Sequence, residues 1–111
     1  MDTEAGASAL VRALTAGDEA AFLAAFFARL AEHDADGAGI TREAFGPGED
    51  AAFALVRRLG EALGLVAAAD AAGNLRLRWP DPPAEAPVVL GSHLDSVPEG
   101  GNDDGAAGIA G

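Results

Sequence analysis

An α/β fold, with two helices followed by a hairpin and a buried strand, is predicted by three patterns in the chain. Apolar residues recur at helical spacing from 18 to 33 and again from 49 to 63. Between 65 and 79 two short apolar segments flank a turn-forming stretch at 70–74, and the second alternates Leu75, Leu77 and Trp79 with Arg76 and Arg78. Val88, Val89 and Leu90 then make a continuous apolar run between prolines and a glycine, as in a strand buried on both faces of a parallel sheet. One hairpin and one such strand leave the sheet incomplete, so further sequence is expected to complete it.

Taken in order, residues 1–17 begin polar, and Leu10, Val11 and Leu14 then mark a short helix. Asp18 is placed to cap a helix running to about His33, with Phe22, Leu23, Phe26, Phe27 and Leu30 on one apolar face. His33 falls at that helix's C-terminus, where its charged form suits the dipole, and it reads as a surface residue. Glu49 or Asp50 starts the second helix, with Phe53, Val56, Leu59 and Leu63 as its stripe, Arg57 and Arg58 towards solvent, and Gly64 as its stop. The segments 65–69 and 75–79 pair as a hairpin with Leu75, Leu77 and Trp79 inward. Residues 80–87 form a proline-rich surface connection. No repeat or linker divides the chain, so residues 1–111 form a single unit.

Composition narrows the class of partner. The formal net charge of −11 argues against nucleic acid or an anionic membrane. All seven basic residues are arginines. With no cysteine there are neither disulfides nor thiolate metal sites, which fits a reducing compartment. The acidic start at Asp2 and Glu4 lacks the basic, apolar pattern of a secretory signal, and no apolar run is long enough to span a bilayer, so cytoplasm is expected.

The chemistry concentrates in residues 88–111. His93 and Asp95 follow the apolar run at once, which places them at the carboxyl end of its strand, where open α/β sheets hold ligands. Residues two apart in extended backbone share a side, so Asp95 can accept a hydrogen bond from one ring nitrogen of His93 and leave the other for a metal. Asp104 lies eleven positions after His93, within Gly100-Gly101-Asn102-Asp103-Asp104-Gly105. An aspartate there can bridge two divalent cations about 3.5–4 Å apart. A glycine-rich loop after a strand also suits phosphate, but this one carries Asp95, Glu99, Asp103 and Asp104 and no basic residue, so it attracts cations instead.

A second cation reading lies upstream. With Gly37 at the sixth position of a twelve-residue calcium loop over 32–43, Glu32, Asp34, Asp36 and Glu43 fall at positions one, three, five and twelve. Against an EF-hand-like module stand the glutamate at position one, Gly39 at the apolar position eight, and Phe45-Gly46-Pro47-Gly48, which breaks an exiting helix. No second copy is present. The plainer reading is a solvated acidic turn.

Gly91-Ser92-His93-Leu94-Asp95-Ser96-Val97-Pro98, then Gly100-Gly101, then Asp104-Gly105 with Gly108 and Gly111, closely resembles the signature of the hydantoinase/carbamoylase amidase family. Upstream, Ile40-Thr41-Arg42-Glu43-Ala44-Phe45-Gly46-Pro47 and Asp70-Ala71-Ala72-Gly73-Asn74-Leu75 resemble that family's amino-terminal half, so about three quarters of the chain is involved. The resemblance implies the amino-terminal part of a metallo-aminopeptidase-like catalytic domain, within the wider aminoacylase and carboxypeptidase clan. It implies two divalent metal ions, zinc, manganese, cobalt or nickel, and hydrolysis of linear amides such as N-carbamoyl amino acids, allantoate or similar ureido compounds.

By the same resemblance His93 is a terminal ligand of one metal, Asp104 bridges both, and Asp95 is the catalytic-site carboxylate that orients His93. The residue before the bridging aspartate is usually aromatic in the family and is Asp103 here. Asp104 is favoured over Asp103 as the bridge, because the spacing from His93 and the following glycine both match. A catalytic glutamate, further ligands and a dimerisation domain are expected beyond Gly111, in a parent enzyme that forms a homodimer. The chain alone is therefore expected to be a truncated, inactive fragment. A calcium module at 32–43 is the alternative, and an assembly role through the apolar helices is a third.

Overall fold

The computed structural model describes residues 3–81, 85 and 87–111, with side chains from Ser8 onward. Three long helices, α1 (Thr3–Thr15), α2 (Glu19–Asp34) and α3 (Pro47–Ala62), precede strands β1 (Val66–Ala69) and β2 (Leu75–Arg78) and a short helix α4 (Ala106–Ala110). The α/β class holds, as helices packed with a two-stranded antiparallel sheet. Among the described residues no helix is long and apolar enough to cross a membrane.

Local chemistry sets the helix ends. The Asp18 carboxylate accepts from the Ala21 amide at 3.1 Å, satisfying one of the donors left open at the start of α2. α3 begins two or three residues earlier than expected. Pro47 takes its first position, where a missing N–H is no loss, and the Glu49 carboxylate reaches back to the Phe45 amide at 3.0 Å. Past Leu63 the chain leaves α3 through Gly64 at φ +85°, as its position predicts.

The core gathers Leu10 of α1, Phe22, Phe26 and Leu30 of α2, and Ala52, Val56 and Leu59 of α3. The Phe22 and Phe26 rings stack with centroids 5.6 Å apart. Leu94 and Ala106, from the segment expected to carry the site, complete this core. Both apolar faces are narrower than their spacing suggested, because Leu23 and Leu63 lie exposed at their margins.

The hairpin forms as expected, with Ala67 opposite Leu77 and Ala69 opposite Leu75. Leu75 and Leu77 pack against the core, while Arg76 and Arg78 are exposed. Trp79 departs from expectation. It lies beyond the last strand pair and is 64% exposed. At the turn, Asp70 accepts from the Ala72 and Asn74 amides, the Asn74 side chain and Arg76 Nε, all within 3.1 Å. These bonds, the Asn74 side chain's foremost, hold its pKa down to about 2. A carboxylate depressed in the folded state stabilises the fold above its unfolded value near 3.8, and that contribution is lost as pH falls through about 2. Acid unfolding followed by circular dichroism is therefore expected to begin at higher pH in Asp70→Ala than in the wild type. Superimposable acid transitions would contradict this.

The buried parallel strand does not form. Val88, Val89 and Leu90 are 89%, 79% and 91% exposed, and no strand pairs with them among the described residues. A run apolar on both faces is buried only where strands flank it and layers cover it, and the hairpin and helices lie elsewhere. The connection expected over 80–87 falls partly outside the described residues.

Candidate metal site

Past the exposed run, Leu94 anchors the chain in the core at 2% exposed. In extended backbone its neighbours point the opposite way, so His93 and Asp95 are presented together on the outer side. The segment 40–42 clamps this stretch from one edge. Ser96 N donates to the Arg42 carbonyl at 2.8 Å, Arg42 N to Ser96 Oγ at 2.9 Å, and Ile40 and Gly100 exchange amide bonds of 2.9 Å. Glu99 N adds a bond to Thr41 Oγ1.

The side chains converge as their spacing suggested. His93 Nδ1 lies 3.0 Å from Asp95 Oδ1 and 3.0 Å from the Asp95 carbonyl oxygen. Its Nε2 faces Asp104 Oδ1 at 3.6 Å. The other Asp104 oxygen accepts from the Val97 amide at 3.0 Å, which anchors the carboxylate. Of the two adjacent aspartates, Asp104 is the one turned towards His93, while Asp103 is exposed. Ser92 Oγ donates to the Gly105 carbonyl at 2.8 Å, and Asn102 Nδ2 donates to the Phe27 carbonyl, tying the glycine-rich loop to α2.

Electrostatically the pair is poised for a positive charge. The His93 pKa is raised, first by the bond to the Asp95 carbonyl, then by the Asp95 carboxylate and its charge, with Asp104 adding to it and partial burial opposing. Two donors at about 2.1 Å from one zinc ion in tetrahedral geometry sit about 3.4 Å apart, close to the 3.6 Å seen here. The imidazole and carboxylate thus fit one divalent ion as two of its donors. Among the described residues no group of three or more His, Asp or Glu side chains is arranged to hold an ion.

The upstream acidic segment gives the calcium-loop reading no support. The Asp34 carboxylate is turned inward onto Arg42 Nε at 2.7 Å and onto His33 Nδ1 at 3.0 Å. Asp36 accepts from the Ala38 and Gly39 amides and the Thr41 hydroxyl, and Glu32 pairs with Arg29. Protein donors thus occupy three of the four carboxylates, and the segment is a closed turn. Periodicity and spacing missed Arg42, because a lone arginine between polar residues gives no sign of burial. Ser96 and Asn102 were missed for the same reason, since only their partners reveal their roles.

No protein-family model matches the chain, and no solved structure matches it significantly. Among curated proteins, the N-carbamoyl-L-amino-acid amidohydrolase of Paenarthrobacter aurescens is 38% identical over 82 residues. The match covers 72% of this chain and 20% of that protein, so the chain spans about a fifth of the relative's length.

Proposed function

We propose that this chain is the amino-terminal, metal-binding part of an amidohydrolase that cleaves linear amides of the N-carbamoyl amino acid or ureido type. The observation that carries this reading is the His93 ring, held at Nδ1 by Asp95 with Nε2 turned to Asp104. The likeness to the Paenarthrobacter amidohydrolase supports the substrate class. Zinc, manganese, cobalt or nickel would be held by His93 Nε2 and Asp104. When bound, such a metal pair polarises the scissile carbonyl and makes water nucleophilic near neutral pH.

The chain's own residues do the rest. Asp95 keeps the ring proton on Nδ1, so the Nε2 lone pair is available, and it raises the ring's basicity as a ligand. The Val97 amide holds Asp104 Oδ2 and leaves Oδ1 facing the histidine. Asp103 adds negative charge beside the pair. Two donors fall short of the about four that a zinc ion takes, and the others, with the general base, would come from residues outside these 111.

Calorimetric titration with zinc or manganese tests the assignment. His93→Ala and Asp104→Asn are each expected to weaken binding by about tenfold or more, and Asp103→Asn by less than about twofold. Unchanged occupancy in His93→Ala would refute the ligand. The 111 residues alone are expected to hydrolyse no N-carbamoyl amino acid, and metal-dependent turnover by them would show that the remaining groups are already present.

A further inference from the structure

We infer that Arg42 is a positioning residue for the His93–Asp95 pair. Its side chain is fully buried, and its three nitrogens reach three separate acceptors. Nε donates to Asp34 Oδ2 at 2.7 Å, Nη2 to the Leu30 carbonyl at 3.4 Å, and Nη1 to the Leu94 carbonyl at 2.9 Å. That last carbonyl belongs to the residue between His93 and Asp95. Arg42 also pairs through its backbone with Ser96 in both directions. The peptide joining Leu94 to Asp95 is thus held at its oxygen from below, while the Leu94 side chain is held in the core.

Rotation of that peptide would swing the Cα–Cβ directions of His93 and Asp95 apart, and their 3.0 Å contact would open. A planar guanidinium suits this task because its donors point in fixed directions, which a lysine ammonium cannot reproduce. Burying a charge without water is unfavourable unless its partners are well placed. Here Asp34 supplies the countercharge from the end of α2, so Arg42 links that helix end to the backbone beneath the site. The inference rests on the metal-site reading for what the pair is used for, but the placement of the pair is measurable without any metal.

The test is the tautomer of His93, read from ring ¹⁵N–¹H correlations at a pH well above the imidazole range and without metal. In the wild type Nδ1 should carry the proton, because Asp95 accepts from it. The double variant Asp34→Leu/Arg42→Met removes both charges at once, so that neither is left buried alone. It is expected to keep its helical circular dichroism and to lose the Nδ1–H preference. Leu59→Ala, a core truncation that touches none of these bonds, is expected to lower stability and keep the preference. In the second arm, manganese affinity should fall about tenfold or more in the folded double variant.

A folded double variant with the wild-type tautomer overturns the inference, as does a wild-type ring with no Nδ1–H preference. Should the double variant not fold, Arg42→Lys, which keeps a cation beside Asp34 but lacks the fork, is read by the same criterion. Manganese binding by the wild type that His93→Ala leaves unchanged sinks the metal-site reading, and the tautomer then decides the positioning role by itself.

Discussion

Asp34→Ala is expected to lower the unfolding free energy by about 3–5 kcal/mol, because it leaves the Arg42 guanidinium buried without its countercharge. The two side chains are 5% and 0% exposed, so water cannot replace the lost carboxylate without opening the structure. Against a usual total of about 5–15 kcal/mol for a domain, such a loss is large. Urea titration measures it through the midpoint, provided the slope is unchanged. The Asp34→Leu/Arg42→Met pair should stay within about 1–2 kcal/mol of the wild type, since apolar replacement of both partners removes the desolvation penalty with the attraction. A loss below about 1 kcal/mol in Asp34→Ala would mean that Arg42 is held by its carbonyl acceptors alone.

Gly105→Ala should weaken divalent-cation binding by about 10–100-fold. Gly105 adopts φ +70° and ψ −42°, a conformation that side-chain-bearing residues rarely take. A methyl group there would sit 2.6 Å from His93 Nδ1 and 2.7 Å from Cε1, and would also press on the His93 carbonyl oxygen. Relief requires the His93 backbone and ring to move, and the ring is what Asp95 and Asp104 hold between them. The backbone conformation itself adds about 1–3 kcal/mol of strain. Calorimetry with zinc, alongside a check of the fold by circular dichroism, measures the effect. Wild-type affinity in a folded Gly105→Ala would show that the ring is not confined at this point.

The site was legible where its chemistry is local. His93 and Asp95 are two residues apart, a spacing that puts the carboxylate within reach of Nδ1. Asp104 needed a turn of the glycine-rich loop, which its composition allows, and the structure brings its carboxylate to the free side of the ring. Arg42 was not legible. Its acceptors lie 8, 12 and 52 positions away, and nothing in its neighbours marks it as buried. The acidic residues at 32–43 were misleading for a related reason. Their spacing suits a calcium loop, yet Asp34 meets a buried arginine and Asp36 closes on its own turn.

The run at 88–90 shows the same divide in the fold. Its hydrophobicity is a property of the residues, but burial requires partners, and no described strand or helix covers it. By itself the sequence determined the helix start at Asp18, the Asp70 turn, the hairpin alternation and the His93–Asp95 spacing, because each depends on atoms a few residues apart. Tertiary structure alone decided that Arg42 is buried beneath the site, that Asp34 is its countercharge, and that Asp104 rather than Asp103 faces the imidazole. Those outcomes depend on which distant segments share one low-dielectric core, where an unpaired charge is too costly to keep.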